Sequence, residues 1–326
     1  MAQIPTGRLA LAAGMLAALA ADNVRRSASA RAAYPPRGRF VDVEGGRIHA
    51  IDDGEGPPVV LIHGAGVDHS DMAMTLLGPL KRRYRVLAVD RPGIGHSTRP
   101  RGWAAPDVQA RMLHEAVTAL GIRFPIVVGH SFGAAVAMTW ALQFPEDTAG
   151  VVFLSGYVYP TTRPDFLPFM APAAPLIGPV LAHTVLPPVD RLMLPFLMKR
   201  VFAPQPVPDG FRHYYPADFI LQPSQLIANG EDIASLIPAA NRLSPHWHEV
   251  AVPVCILAGT EDRLVAPEHH AVRLSNDIPD ATFQLYPGIG HMLHHFRTGD
   301  VIDAVDEIAE RADLRARSAA LGWASG

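Results

Sequence analysis

Apolar residues gather in short, dense runs along this chain. Pro58 to Ile62, Pro125 to Val128, Val151 to Leu154 and Val252 to Ala258 are wholly apolar, and Tyr84 to Val89 is apolar except for Arg85. Strands without a polar face are expected where a sheet is covered on both sides. Ala281 to Tyr286 reads as a last strand. Between the runs, Asp71 to Lys81, Ala105 to Leu120, Ala134 to Leu142 and Pro267 to Asn276 read as helices. Asp300 to Ala312 is amphipathic, with Val301, Ile302, Val305, Ile308 and Ala309 on one face. Arg39 to Val43 and Arg47 to Asp52, joined by Glu44-Gly45-Gly46, read as a hairpin. The alternation predicts an α/β fold. It is a mostly parallel, eight-stranded sheet flanked by helices, opening with an antiparallel hairpin.

Two segments depart from this rhythm. Residues 1–33 form an apolar leader whose uncharged run, Leu9 to Ala21, is shorter than the about 20 residues a membrane span needs. It has the length of a signal-peptide core, with Ala18-Leu19-Ala20 as a candidate cleavage site. The charge flanks favour the cytoplasmic side: only Arg8 precedes the run, whereas Arg25, Arg26, Arg31, Arg37 and Arg39 follow it. The expectation is a helix lying on a membrane surface through residues 9–21; a helix packed on the protein is the alternative. Localisation is thus membrane-associated or cytoplasmic. The second departure is residues 156–245, which hold 16 of the 31 prolines and no strand pattern. It reads as a helical cap, or lid, inserted into a core of residues 34–155 and 246–326. Prolines this dense predict short helical pieces. The tail from Arg317 is expected to fray.

Composition narrows the function. A net charge of −3 and the lack of a basic stripe argue against nucleic acid as a partner. The single cysteine, Cys255, lies in an apolar run and excludes an internal disulfide or a cysteine-based metal site. His269, His270, His294 and His295 show no carboxylate spacing that supports a metal and read as surface residues. Trp140 and Met138 read as core. Met292 and Leu293 are candidates to line a pocket.

The chemistry centres on Gly129-His130-Ser131-Phe132-Gly133, which sits between a strand and a helix. In that context G-x-S-x-G puts a serine on a sharp turn with its hydroxyl held above the sheet. Ser131 needs a base, and His291 follows the last strand after Gly288-Ile289-Gly290. The histidine needs an acid. Asp262 and its neighbour Glu261 end the preceding strand, and only one of them can face His291. Residues 156–164 contain no Asp or Glu, which closes the other acid position. An oxyanion formed beside Ser131 needs two donors. One is the Phe132 N–H; the other comes from the loop after His63-Gly64, from Ala65 or from Gly66.

With His63-Gly64-Ala65-Gly66, Asp90-Arg91-Pro92-Gly93-Ile94-Gly95-His96-Ser97, the serine motif, Gly259-Thr260-Glu261-Asp262 and Gly290-His291, the chain resembles the α/β-hydrolases with an inserted cap. These motifs tile residues 38 to about 312. The resemblance implies the order Ser131, Asp262, His291 and favours Asp262 over Glu261. It marks His96 and His130 as structural. Epoxide hydrolases and haloalkane dehalogenases of similar appearance carry Asp where Ser131 stands, which argues against both. The expected activity is a serine hydrolase of lipophilic carboxylic esters, esterase- or lipase-like, working through an acyl-enzyme without cofactor or metal. The alternatives are a C–C bond hydrolase or perhydrolase with the same triad, and a non-catalytic ligand receptor of the same fold. The oligomeric state is left unassigned.

Overall fold

The computed structural model describes residues 6–312; the tail from Arg317 lies outside them. Chain order runs α1 (Thr6–Ala33), β1 (Arg39–Val43), β2 (Gly46–Asp53), β3 (Pro58–Ile62), α2 (residues 69–80, with a π-helical turn at Ala73–Leu77), β4 (Arg85–Val89), α3 (Pro106–Ala119), β5 (Ile126–His130), α4 (Phe132–Gln143) and β6 (Gly150–Leu154). After β6 come single helical turns and the helices α5 (Ile177–His183), α6 (Leu186–Phe202), α7 (Asp209–Tyr214) and α8 (Pro223–Leu243). The chain closes with β7 (Val254–Gly259), α9 (Ala271–Asp277), β8 (Thr282–Tyr286) and α10 (Thr298–Arg311).

The expected eight-stranded sheet forms in the order β1-β2-β4-β3-β5-β6-β7-β8, antiparallel at β1–β2 and β2–β4 and parallel elsewhere. Every residue of β3, β5, β6 and β7 is buried. Side chains alternate between two cores, as strand geometry dictates. Val60, Ile62 and Val127 pack with Leu113 of α3 and Trp140 of α4. Val59, Leu61 and Val128 pack with Leu76 of α2 and Val305 of α10. This is why these strands carry no polar face.

The segment between β6 and β7 corrects one expectation. Its prolines do not confine it to short helices: α6 has 17 residues with Pro195 inside, and α8 has 21 with Pro238 inside. Several prolines sit at helix starts, such as Pro187 and Pro223, where the missing N–H would have had no partner anyway. Each interior proline forfeits a single backbone bond of its helix.

Helix α1 ends at Ala33, just before Tyr34-Pro35-Pro36. It packs on α5, where Asn23 Nδ2 donates to the carbonyls of His183 at 2.8 Å and Thr184 at 3.2 Å. Among the described residues no single helix is long and apolar enough to cross a membrane.

Candidate active site

The carboxyl ends of β5, β7 and β8 carry the three residues singled out by motif. Ser131 ends β5 with φ 54° and ψ −115°, a left-handed backbone unusual for a residue with a side chain. Its glycine neighbours make the turn feasible. A Cβ on Gly133 would lie 2.2 Å from the Ile62 carbonyl oxygen, and one on Gly129 would lie 2.3 Å from that of Gly133. Phe132 is the first residue of α4, so its N–H has no partner within the helix.

Asp262 follows β7. Its Oδ1 accepts from the N–H groups of Leu264 at 2.9 Å and Val265 at 2.8 Å, which leaves Oδ2 aimed at His291 Nδ1 at 2.7 Å. Both side chains are buried. Glu261 instead lies at the surface near Arg263 at 3.7 Å. His291 follows β8 on a loop that the chain before α7 also grips: Gln205 donates to the Gly288 carbonyl at 2.6 Å and accepts from the Gly290 N–H at 3.0 Å. Ser131 and His291 line one cavity of about 320 Å³ without a direct hydrogen bond between them. Such contacts commonly close only around substrate.

Gly66 is held on both sides. Its N–H donates to Asn229 Oδ1 at 3.0 Å, and its carbonyl accepts from the Tyr215 hydroxyl at 2.8 Å. That N–H is therefore engaged, which leaves Ala65 as the second candidate donor; Ala65 lines the cavity. The cavity wall is mostly apolar, with Phe132 and Met292 from the core and Leu186, Leu194 and Phe202 from α6. A second, more open depression of about 520 Å³ lies away from Ser131, among Arg39, Asp52, Asp53 and Arg85. Its charges are spent on one another: Arg85 holds Asp52 at 2.8 Å.

Three histidines correct the expectation of surface residues. His294 is fully buried and His295 nearly so; their Nε2 atoms meet Asp71 at 3.1 Å and 2.9 Å. His270 is buried as well, its Nδ1 accepting from the N–H groups of Val158 and Tyr159 at 3.2 Å each, and burial pushes it down to about 3. Only His269 is exposed. Leu293 belongs to the core, whereas Met292 does line the cavity. Sequence could not show these burials, because the partners lie far away in the chain.

Two supports of the site also escaped sequence reading. His130 Nε2 donates to the His291 carbonyl at 3.0 Å, while burial and the nearby His294 hold its ring well below the usual histidine range. A neutral His130 thus ties the two loops together. Arg91 is fully buried beneath the His63-Gly64 loop. It donates to the carbonyls of His63 at 3.0 Å and Gly64 at 3.1 Å, stacks 4.4 Å over the Phe132 ring, and pairs with Asp232 at 2.6 Å. Burial pushes the Asp232 carboxyl up, but Arg91, Arg99 and Gln109 all donate to it, which keeps the pair ionised.

Two histidine–carboxylate groups have ligand atoms within 4.8 Å of one another: His49, His69 and Asp90, and Asp71, His294 and His295. Hydrogen bonds already account for their carboxylate oxygens. Asp90 accepts from both rings, at 2.8 Å and 2.9 Å, and from the N–H groups of His69 at 3.0 Å and His96 at 2.9 Å.

Residues 57–298 match the family model described as the alpha/beta hydrolase fold. The chain belongs to this family. The hydrolase is 27% identical over 290 residues to haloalkane dehalogenase 2 of Mycobacterium tuberculosis, covering 85% of this chain and 93% of that one. It is 27% identical over 262 residues to a 2-hydroxy-6-oxo-6-phenylhexa-2,4-dienoate hydrolase of Burkholderia cepacia, covering 75% and 85%. Among solved structures, an esterase from Exiguobacterium antarcticum superposes with a TM-score of 0.69 at 19% identity, covering 83% of this chain and 99% of that one, a likeness of fold.

Proposed function

We propose that this hydrolase cleaves carboxylic esters of lipophilic substrates through Ser131, His291 and Asp262. The observation that carries the reading is the buried 2.7 Å Asp262–His291 contact in the cavity that Ser131 lines on a strained turn. Asp262 fixes the tautomer that leaves His291 Nε2 free to accept a proton. His291 takes the proton of Ser131 as the oxygen attacks the ester carbonyl. The N–H groups of Phe132 and Ala65 hold the oxyanion. Protonated His291 then gives its proton to the departing alcohol, and water activated by His291 releases the acid.

The apolar wall supports a lipophilic acyl or alcohol group. We read residues 156–245 as the lid over this cavity. The outer surface supports work at a membrane face. Leu11 and Met15 of α1 and Leu176, Ile177, Leu192 and Phe196 of the lid are all exposed, in helices that pack side by side. The similarity to the dienoate hydrolase favours a second reading, C–C bond cleavage with the same triad. Comparing butyrate esters with a vinylogous diketone separates the two. The direct test is a series of p-nitrophenyl esters of increasing chain length. Activity should rise with acyl length in the wild type and vanish in Ser131→Ala; equal activity in both proteins ends the serine-hydrolase reading.

A further inference from the structure

Along α6, Leu186, Asp190, Leu194, Leu197 and Val201 line the cavity, joined near the helix end by Met198, Arg200 and Phe202. The spacing of the first five is one stripe of a helix. Asp190 alone on the stripe is charged. It is partly buried, and burial alone pushes its carboxyl up to about 6; no neighbouring charge or hydrogen bond contributes. An unpaired carboxylate in an apolar wall is costly, and proteins normally pair such a group or keep it for a ligand.

The other charged groups of the cavity already have partners within the protein. Arg163 grips Asp165 with Nε at 2.9 Å and Nη2 at 2.8 Å, and the Leu264 carbonyl with Nη1 at 2.6 Å. Arg200 reaches the same Asp165 at 3.5 Å. His291 is held by Asp262, and Tyr215 donates to Gly66. Among the described residues, then, no cation of the chain answers Asp190. The cavity also carries Tyr215, whose ring stacks on Phe211 at 5.3 Å. Aromatic faces attract cations, quaternary ammonium above all. The Asp190 charge is felt at the Tyr215 phenol, so the carboxyl and this ring share a neighbourhood.

We infer that Asp190 and the Tyr215 ring stacked on Phe211 form a subsite for an ammonium group carried by the ester substrate. The inference rests on the ester-hydrolase reading and gives it a substrate class: lipophilic esters bearing a fixed positive charge. A neutral hydroxyl donor would use the carboxylate but not the rings; an ammonium group uses both.

The test compares two esters of one shape, butyrylcholine and 3,3-dimethylbutyl butyrate, which differ only in the charge. In the wild type at about pH 8, kcat/KM for the choline ester should exceed that for the neutral ester by about tenfold or more, as expected for a charge-assisted contact in a desolvated pocket. Asp190→Asn should bring the ratio to about one, and Asp190→Glu should retain part of it. Lowering the wild type to about pH 5 should shrink the ratio, because the carboxyl becomes protonated. Effects on His291 cancel, since both esters use it. A wild-type ratio at or below one, or a ratio unchanged in Asp190→Asn, overturns the subsite. If neither ester is turned over, the hydrolase reading fails first. Calorimetric binding of the same two esters to Ser131→Ala then reads the subsite without chemistry: equal affinities overturn it, and tighter binding of the choline ester upholds it.

Discussion

A serine held at φ 54° persists only where its surroundings leave no alternative. Around Ser131 those surroundings are two glycines without room for a Cβ, and a histidine loop pinned from behind by His130. The residues proposed to do the chemistry were legible in sequence because each follows a strand in a short motif. Their supports were not, because Arg91 meets Asp232 from 141 residues away, and Asp71 meets His294 and His295 from 223 and 224 residues away. Asp262→Asn should keep the fold and lower kcat by about 10⁴, as the wrong tautomer would; steady-state kinetics beside circular dichroism checks both. Arg91→Met leaves Asp232 buried without its main partner and should destabilise the protein by about 3–5 kcal/mol, read from denaturant midpoints. Asp190 acts in the opposite sense. Its carboxyl is raised in the folded protein to about 6. The native state therefore holds the proton more tightly than the unfolded chain, and stability falls as pH rises through that range. Asp190→Asn should be more stable than wild type at about pH 8, by order 1 kcal/mol after solvent screening, and no more stable at about pH 4.

Among the elements, the strands were the most readable, because burial on both faces writes itself as unbroken apolar runs. The lid was the least readable. Proline density suggested fragments, yet α6 and α8 are long, because several prolines start helices and each helix tolerates one inside. Helix α4 depends on the approach of its first turn to β3. Gly133→Ala drives a Cβ into the Ile62 carbonyl at 2.2 Å, so little folded protein should be recovered, which soluble yield and thermal melting measure. The same approach carries the Phe132 N–H to the site, so the fold of this turn and the oxyanion contact stand together.

For the molecule as a whole, the sheet divides two cores, and the segment read as a lid lines a mostly apolar cavity above the strand ends. The outer side of that lid is also apolar. Leu176 is 91% exposed and Leu192 80%, more than solvent contact alone favours. Full-length protein should sediment with lipid vesicles, and Leu176→Ser with Leu192→Ser should weaken that binding; vesicle-independent behaviour of the full-length chain contradicts the membrane-surface reading.

The central claim is that Ser131 carries the acyl group, and trapping that intermediate tests it most directly. A long-chain p-nitrophenyl ester is mixed with the protein, quenched in acid within the first turnover, and the digest is read by mass spectrometry. The account predicts one acyl group on the peptide containing Ser131, with none on Ser131→Ala. Turnover with no adduct at Ser131, or with an adduct elsewhere that survives Ser131→Ala, contradicts it.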